Sequence, residues 1–248
     1  MESICKGKVA VVTGGSRGIG RAIVLKLSEL GAAVVFNYVR DRESAEQLVR
    51  HIEEQGGAAT SLKADMGSVA DIEKMFDLAI STHGRLDILV NNAGIATYKK
   101  IEDFSEEEYD RIFNINVKGV FFCCRMAARK MAGNGCVINI GSTVTRVMLP
   151  RYGAYAATKG AVEQITKVLA KELGSRNIRV NTLSPGPVDT SLFRAGKTAE
   201  QIDQMASAAA LGRIGTVDDI ANMVALLVDD RSGWVTGQNI LINGGFTA

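Results

Sequence analysis

Two textures of hydrophobic and polar positions alternate along the chain. Short β-branched runs appear as "VAVVTG", "AAVVFNY", "AATSLKAD", "LDILVNNAG", "CVINIGS", "IRVNTLSPG" and "NILINGG". Between them apolar residues recur at helical period over 21–30, 42–55, 69–82, 106–131, 155–173, 199–208 and 217–228. Runs such as "VAVV" and "DILV" are apolar without alternation, which predicts strands buried on both faces. Strands with helices between them predict right-handed βαβ crossovers, hence an α/β fold: a doubly wound, seven-stranded parallel sheet with helices on both faces. No repeat, linker or shift of composition interrupts the pattern, so residues 1–248 are expected to form a single domain. Pro185, Gly186 and Pro187 end the sixth strand, and residues 188–211 pass before the pattern resumes. Ligands of open α/β sheets sit beyond the carboxyl ends of the strands, so this segment is a candidate lid. A plain surface excursion is the alternative.

Composition narrows the classes of function. A chain of 248 residues with 46% hydrophobic content can bury a full core. The net charge of +2, from 29 basic and 27 acidic residues, gives no electrostatic case for nucleic acid. No apolar run approaches the ~20 residues that span a bilayer. The opening "MESICKGKVA" lacks an apolar signal core, so a cytoplasmic protein without a membrane partner is expected. Cys5, Cys123, Cys124 and Cys136 show no ligand spacing and read as small apolar fillers, and no metal is expected. His51 and His83 sit in polar stretches and are expected to face solvent.

The first chemistry lies in "TGGSRGIG", between the first strand and the first helix. Gly14, Gly18 and Gly20 would permit a tight turn and let a pyrophosphate approach the backbone, with helix N–H groups facing the phosphates. The spacing is G-x-x-x-G-x-G, so a glycine-rich packing turn remains the alternative. Ser16, Arg17 and Ile19 belong to the same loop. The end of strand two, "VVFNYVRDR", sharpens the choice of dinucleotide. Asn37, followed by Tyr38, stands where an acid would accept bonds from a ribose 2′-hydroxyl. With no acid there and Arg17, Arg40 and Arg42 nearby, a 2′-phosphate is the better match, because guanidinium pairs with phosphate through two charge-assisted bonds. Asp41 falls at the start of the next helix and is expected to cap it.

"YGAYAATKGA" places Tyr155 and Lys159 on one helix face. A phenol of ordinary pKa ~10 exchanges protons poorly at neutral pH, and an adjacent ammonium is expected to lower that value. The pair is a candidate general acid for carbonyl reduction, or base for the reverse. Ser142 closes the fifth strand and could hold the substrate oxygen.

In these residues the chain resembles the short-chain dehydrogenases/reductases, over essentially its whole length. The motifs are "TGGSRGIG", "KADM", "NNAG", "NINVKG", "GS" at Ser142, "YAATK" and "SPGPVDT". The resemblance implies a Rossmann-like fold, an NADP(H) cofactor and a tetrad of Asn116, Ser142, Tyr155 and Lys159. Asn114 lies two residues away, but "NVKG" matches the family pattern with Asn116. There the family's Asn distorts its helix and holds a water towards Lys159. The resemblance also implies Asp65 and Met66 beside the adenine, and Asn92, Ala93 and Gly94 beside the ribose. Tyr155 and Lys159 also meet the cofactor, as does 185–190 with Pro185, Gly186, Val188 and Thr190. Two groups are closest in texture: NADPH-dependent aldehyde and ketone reductases, which we favour, and 3-oxoacyl-carrier-protein reductases. The second would need basic residues at the entrance for an acyl carrier protein, with Arg129, Lys130 and Arg176 as candidates. A non-catalytic NADP-binding sensor or scaffold is a third reading. Leu192, Phe193 and Met205, with Val144, Met148 and Leu149, predict an apolar pocket for a small carbonyl or alcohol substrate. "VFFCCRMAA" carries more apolar surface than a singly packed helix needs, and with the family resemblance this predicts a homotetramer or homodimer.

Overall fold

The computed structural model describes residues 3–247; Met1, Glu2 and Ala248, the ends of the segment read as one domain, lie outside them. The seven expected strands form: β1 (Val9–Val12), β2 (Ala33–Tyr38), β3 (Ala58–Lys63), β4 (Ile88–Asn91), β5 (Cys136–Ile140), β6 (Arg179–Pro185) and β7 (Asn239–Ile242). They make one parallel sheet in the order β3-β2-β1-β4-β5-β6-β7. The order reverses between β1 and β4, which opens a crevice at their carboxyl ends.

The helices are α1 (Gly18–Glu29), α2 (Arg42–Glu54), α3 (Val69–His83), α4 (Glu106–Phe113), α5 (Val120–Lys130), α6 (Val144–Val147), α7 (Gly153–Leu173), α8 (Ser191–Arg194), α9 (Ala199–Ala208) and α10 (Val217–Val228). Alternate strand residues feed two separate cores. Ala10, Val12, Val34 and Phe36 pack with Ile23 and Leu27 of α1, Leu48 of α2 and Val224 of α10. Val9, Val11, Val35 and Leu89 pack with Met75 and Phe76 of α3, Cys123 of α5 and Val162 of α7. The unbroken apolar runs of the sequence are the consequence of these two covers.

Polar residues locate the helices. Asp41 accepts from Ser44 N at 3.0 Å and caps α2, as its position predicted. Ser68 caps α3, and Ser105, Thr198 and Thr216 form capping boxes at α4, α9 and α10. A buried chain of side chains ties α7 to the sheet. Asn91 Nδ2 donates to Asn139 Oδ1, Asn139 Nδ2 donates to Thr166 Oγ1, and Thr182 Oγ1 donates to the same oxygen, each at 2.8 Å. Buried amides and hydroxyls bonded in this way fix register more tightly than apolar contacts, because any slip leaves a donor unmet.

The structure corrects two expectations here. The stretch 106–131 is not one helix: α4 and α5 are separated by a π-helical segment, Asn114–Gly119. Gly119 lies in it with Met66 so near that a Cβ would fall 2.6 Å from the Met66 carbonyl oxygen, and the widened turn accommodates that approach. His83 does not simply face solvent. It is the last residue of α3, and its Nε2 turns inward without a bonded partner. The four cysteines are buried, as fillers should be, and burial pushes their thiols up. Among the described residues no helix is long and apolar enough to cross a membrane.

Candidate active site

A cavity of about 870 Å³ opens beyond the carboxyl ends of the strands, across the switch point between β1 and β4. At one end is the β1–α1 loop. Gly14 adopts φ +66°, a conformation that costs most side chains, and at Gly20 a Cβ would collide with the Gly14 carbonyl oxygen. The helix α1 begins at Arg17 without any side-chain cap, unlike α2, α3, α9 and α10. Its first N–H groups therefore face the cavity as free donors, with the positive end of the helix dipole behind them.

The loop is held from beneath. Gly14 N donates to Asn37 Oδ1 at 2.8 Å, and Asn37 Nδ2 donates to Ala64 O at 2.8 Å. Asn92 Nδ2 donates to the carbonyls of Thr13 and Gly14, while Asn92 N and Ala93 N donate to Thr13 Oγ1. Asn37 lines the cavity, as expected, but it is 1% exposed and both ends of its amide are committed. The residue that closes β2 at the cavity is Tyr38. Arg17 and Arg40 also line the cavity, whereas Arg42 turns to Glu46, its Nε 2.6 Å from the carboxylate, and does not.

Ser16, Gly18, Ile19, Asp65, Met66, Gly94, Pro185, Gly186, Val188 and Thr190 share the same wall. A glycine-rich turn, uncapped helix donors and two guanidiniums suit a phosphorylated dinucleotide with a third phosphate. Glycine at 20 is required by the turn itself, since a Cβ there would meet the Gly14 carbonyl oxygen and the Asn92 amide.

Towards the middle of the cavity, Ser142 follows β5 and Tyr155 and Lys159 project from α7. Lys159 is 6% exposed, and its Nζ donates to Ile140 O at 2.7 Å and stands 5.7 Å from the Tyr155 ring centroid. Burial drives the ammonium down to about 8. Burial also pushes the Tyr155 phenol up to about 12, opposed by the adjacent Ser142 hydroxyl. The expectation that Lys159 holds the phenol low is not met: desolvation is the largest influence, and only the Ser142 hydroxyl opposes it. Asn116 lies behind the wall rather than in it. Its Oδ1 accepts from Ile95 N at 2.9 Å, and its Nδ2 donates to Ile95 O at 2.8 Å and to Thr158 Oγ1 at 3.2 Å. It sits in the π-helical segment, which agrees with the distortion expected there, and a Cβ on Gly94 would lie 3.4 Å from its Oδ1 and 3.8 Å from Lys159 Nζ.

The far end of the cavity is built from distant segments. Val144, Leu149, Leu192, Phe193 and Met205 line it as expected. Met148 does not: it takes a left-handed backbone conformation and is 78% exposed. Tyr98, Tyr152, Lys197 and Phe246 also line the cavity and carried no assignment from the sequence. The Tyr98 ring is 4.5 Å from that of Tyr152 and edge-on to Tyr155 at 6.5 Å. Tyr98 lies a few residues past the carboxyl end of β4, the one signal that could have found it. Arg129, Lys130 and Arg176, the basic residues expected at the entrance, are elsewhere. Helix α5 runs back along the sheet, so its last turn reaches the amino end of β5. There Lys130 pairs with Asp77, and Arg176 donates to the carbonyls of Ala128 and Met131 at the end of α5.

Comparison with known proteins agrees with this geometry. The family described as "Enoyl-(Acyl carrier protein) reductase" matches residues 14–247. The chain is 41% identical to the "NADPH-dependent aldehyde reductase-like protein, chloroplastic" of Arabidopsis thaliana, covering 97% of this chain and 94% of that one. It superimposes on the short-chain dehydrogenase/reductase from Serratia marcescens BCRC 10948 with a TM-score of 0.94 and 41% identity, over 98% of this chain and 99% of that one. A short-chain dehydrogenase from Burkholderia cenocepacia J2315, solved in complex with NADP, gives 0.93 at 37% identity with the same coverage.

Proposed function

The chain belongs to the short-chain dehydrogenase/reductase family, and from that premise we propose that it is an NADP(H)-dependent reductase converting a ketone or aldehyde to an alcohol. The observation that carries this reading is one cavity with a glycine-rich loop and an uncapped helix at one end and Ser142, Tyr155 and Lys159 at its centre. Bound NADPH would supply the hydride that goes to the carbonyl carbon. Gly14, Gly18, Gly20 and the first turn of α1 would hold its pyrophosphate, and Arg17 and Arg40 its 2′-phosphate, with Tyr38 beside them. Asp65 and Met66 would serve the adenine, Asn92 to Gly94 the ribose, and Pro185 to Thr190 the nicotinamide.

Ser142 and Tyr155 hold the carbonyl oxygen. Tyr155 is the general acid, giving its proton to the oxygen as negative charge develops there. Lys159, steadied by the Ile140 carbonyl, returns protons to Tyr155 and bonds the nicotinamide ribose. Asn116, clamped to Ile95, is a positioning residue that keeps the π-helical segment against Lys159. Residues 188–211 act as the lid. Phe121 and Val168, exposed on α5 and α7, support self-association as a homotetramer or homodimer.

A second reading is reduction of a 3-oxoacyl chain on a carrier protein, the same class of partner that the description of the matching family names. Oxidation of NADPH and NADH, followed by absorbance, is measured against an aliphatic aldehyde, an aromatic ketone, an α-diketone and an acetoacetyl thioester. Turnover of the simple carbonyls with NADPH supports the proposal. Turnover confined to the thioester replaces it with the second reading.

A further inference from the structure

Lys197 is one of the cations that line the cavity. Lys99, Lys100, Arg194 and Arg213, on nearby surface, all have carboxylate partners. Lys197 has no carboxylate within ion-pair distance among the described residues. It stands between α8 and α9 and reaches into the cavity, where its Nζ donates to Phe193 O at 2.7 Å. The same nitrogen stands 4.8 Å from the Phe193 ring centroid and 5.0 Å from that of Tyr98. An ammonium has three donors, and a carbonyl satisfies one of them; ring faces stabilise the charge without accepting a full bond. Partial burial already pulls the Lys197 ammonium below its ordinary pKa, a sign that water no longer solvates it fully. A cation desolvated at the wall of an open cavity is matched best by an anion arriving in that cavity.

The rings around it describe the rest of the ligand. Tyr98 contacts Lys197 on one side and Tyr152 on another, and its edge meets Tyr155, the proposed proton donor. Lys197 is therefore linked to the reacting centre through a single aromatic ring. Phe193, Leu149 and Met205 complete an apolar enclosure.

We propose that Lys197 is a specificity-determining residue: it receives a carboxylate on an aromatic carbonyl substrate whose ring lies against Tyr98, Tyr152 and Phe193. This rests on the reductase reading for the carbonyl, but the anion site stands by itself and can be tested by itself. A lysine serving only to clasp the 188–211 segment to Tyr98 would affect charged and neutral substrates equally.

Para-carboxybenzaldehyde and methyl para-formylbenzoate form a matched pair, one anionic and one neutral. With NADPH, the wild-type protein is expected to prefer the acid in kcat/KM. In K197M the acid-to-ester ratio falls about tenfold or more, mainly through KM, and K197R restores most of it. Calorimetry then measures para-(hydroxymethyl)benzoate against its methyl ester, with the protein saturated by oxidised NADP. The carboxylate binds more tightly to wild type, and K197M abolishes the difference. If neither aldehyde is turned over but that binding preference appears and is lost in K197M, the reductase reading fails and the anion site stands. If the ester is reduced but neither the kinetic ratio nor the binding preference responds to K197M, the reductase reading survives and this proposal is overturned. A preference equally reduced for acid and ester in K197M assigns the residue to the clasp and also overturns it.

Discussion

The two ends of the cavity are built on opposite principles. At the glycine-loop end the polar side chains are spent on backbone: Asn37 and Asn92 pin the Gly14 turn, and Thr13 holds the turn after β4. What remains for a ligand is main chain, an uncapped helix and, for the third phosphate, the side chains of Arg17 and Arg40. At the far end the side chains themselves are presented, as Tyr98, Tyr152, Phe193 and Lys197, on loops and the short helix α8. A constant ligand such as a dinucleotide is served by fixed backbone, whereas a variable substrate is served by side chains that can change without disturbing the sheet. Between the two, α7 carries Tyr155 and Lys159 on a helix locked to the sheet by Asn139 and Thr166.

The largest effect should come from the shared centre. Tyr155→Phe is expected to lower kcat/KM with an accepted aldehyde by about a hundredfold to ten-thousandfold while NADPH binding, followed by cofactor fluorescence, changes little. Equal loss of both would mean that Tyr155 serves the binding end instead.

At the glycine-loop end, Gly20→Ala sets a Cβ against the Gly14 carbonyl oxygen and the Asn92 amide. Both are backbone or pinned to backbone, so neither can yield. We expect a loss of about 1–3 kcal/mol in denaturant stability and a collapse of NADPH affinity. A mutation of comparable size at the far end, such as Leu192→Ala, should move substrate KM and leave unfolding nearly unchanged, because Leu192 is half exposed.

The buried ammonium of Lys159 predicts a pH dependence. Its pKa of about 8 lies below its ordinary 10.5, so between these values the unfolded chain holds a proton that the folded chain has released. Its contribution to the stability of the cofactor-free protein therefore rises as pH goes from about 8 to 10, by up to about 2 kcal/mol. Below pH 8 both states are protonated and the contribution is flat. The buried thiols and Tyr155 act in the opposite sense at higher pH, since their raised pKa values make the unfolded chain release protons first. Urea unfolding of wild type and Lys159→Met from pH 7 to 10 isolates the lysine: the stability difference between the two should shift in favour of wild type from about pH 8 to 10.

The smallest effect is expected at Arg40, exposed and at the rim. Arg40→Ala should reduce the preference for NADPH over NADH by about tenfold or less, and retention of the full preference would transfer the 2′-phosphate to Arg17 alone.

The strands, their parallel pairing and the glycine turn were legible in the residues because each rests on local patterning: apolar runs for doubly covered strands, glycines where backbone must turn. Tyr155 and Lys159 were legible for the same reason, being four apart on one helix. The interruption at Asn114–Gly119 was not legible in the helical period of 106–131; only the family resemblance implied a distortion there, at Asn116. Nor was the commitment of Asn37, whose partners Gly14 and Ala64 lie on neighbouring segments of the sheet.

The substrate end and the acid–base balance could only emerge from three dimensions. Tyr98, Tyr152 and Lys197 come from three different loops and meet only because the sheet brings the ends of β4, β5 and β6 together. A neighbouring lysine suggested a lowered phenol, yet burial raises it, because desolvation depends on everything that surrounds a group and a sequence names only what is adjacent along the chain.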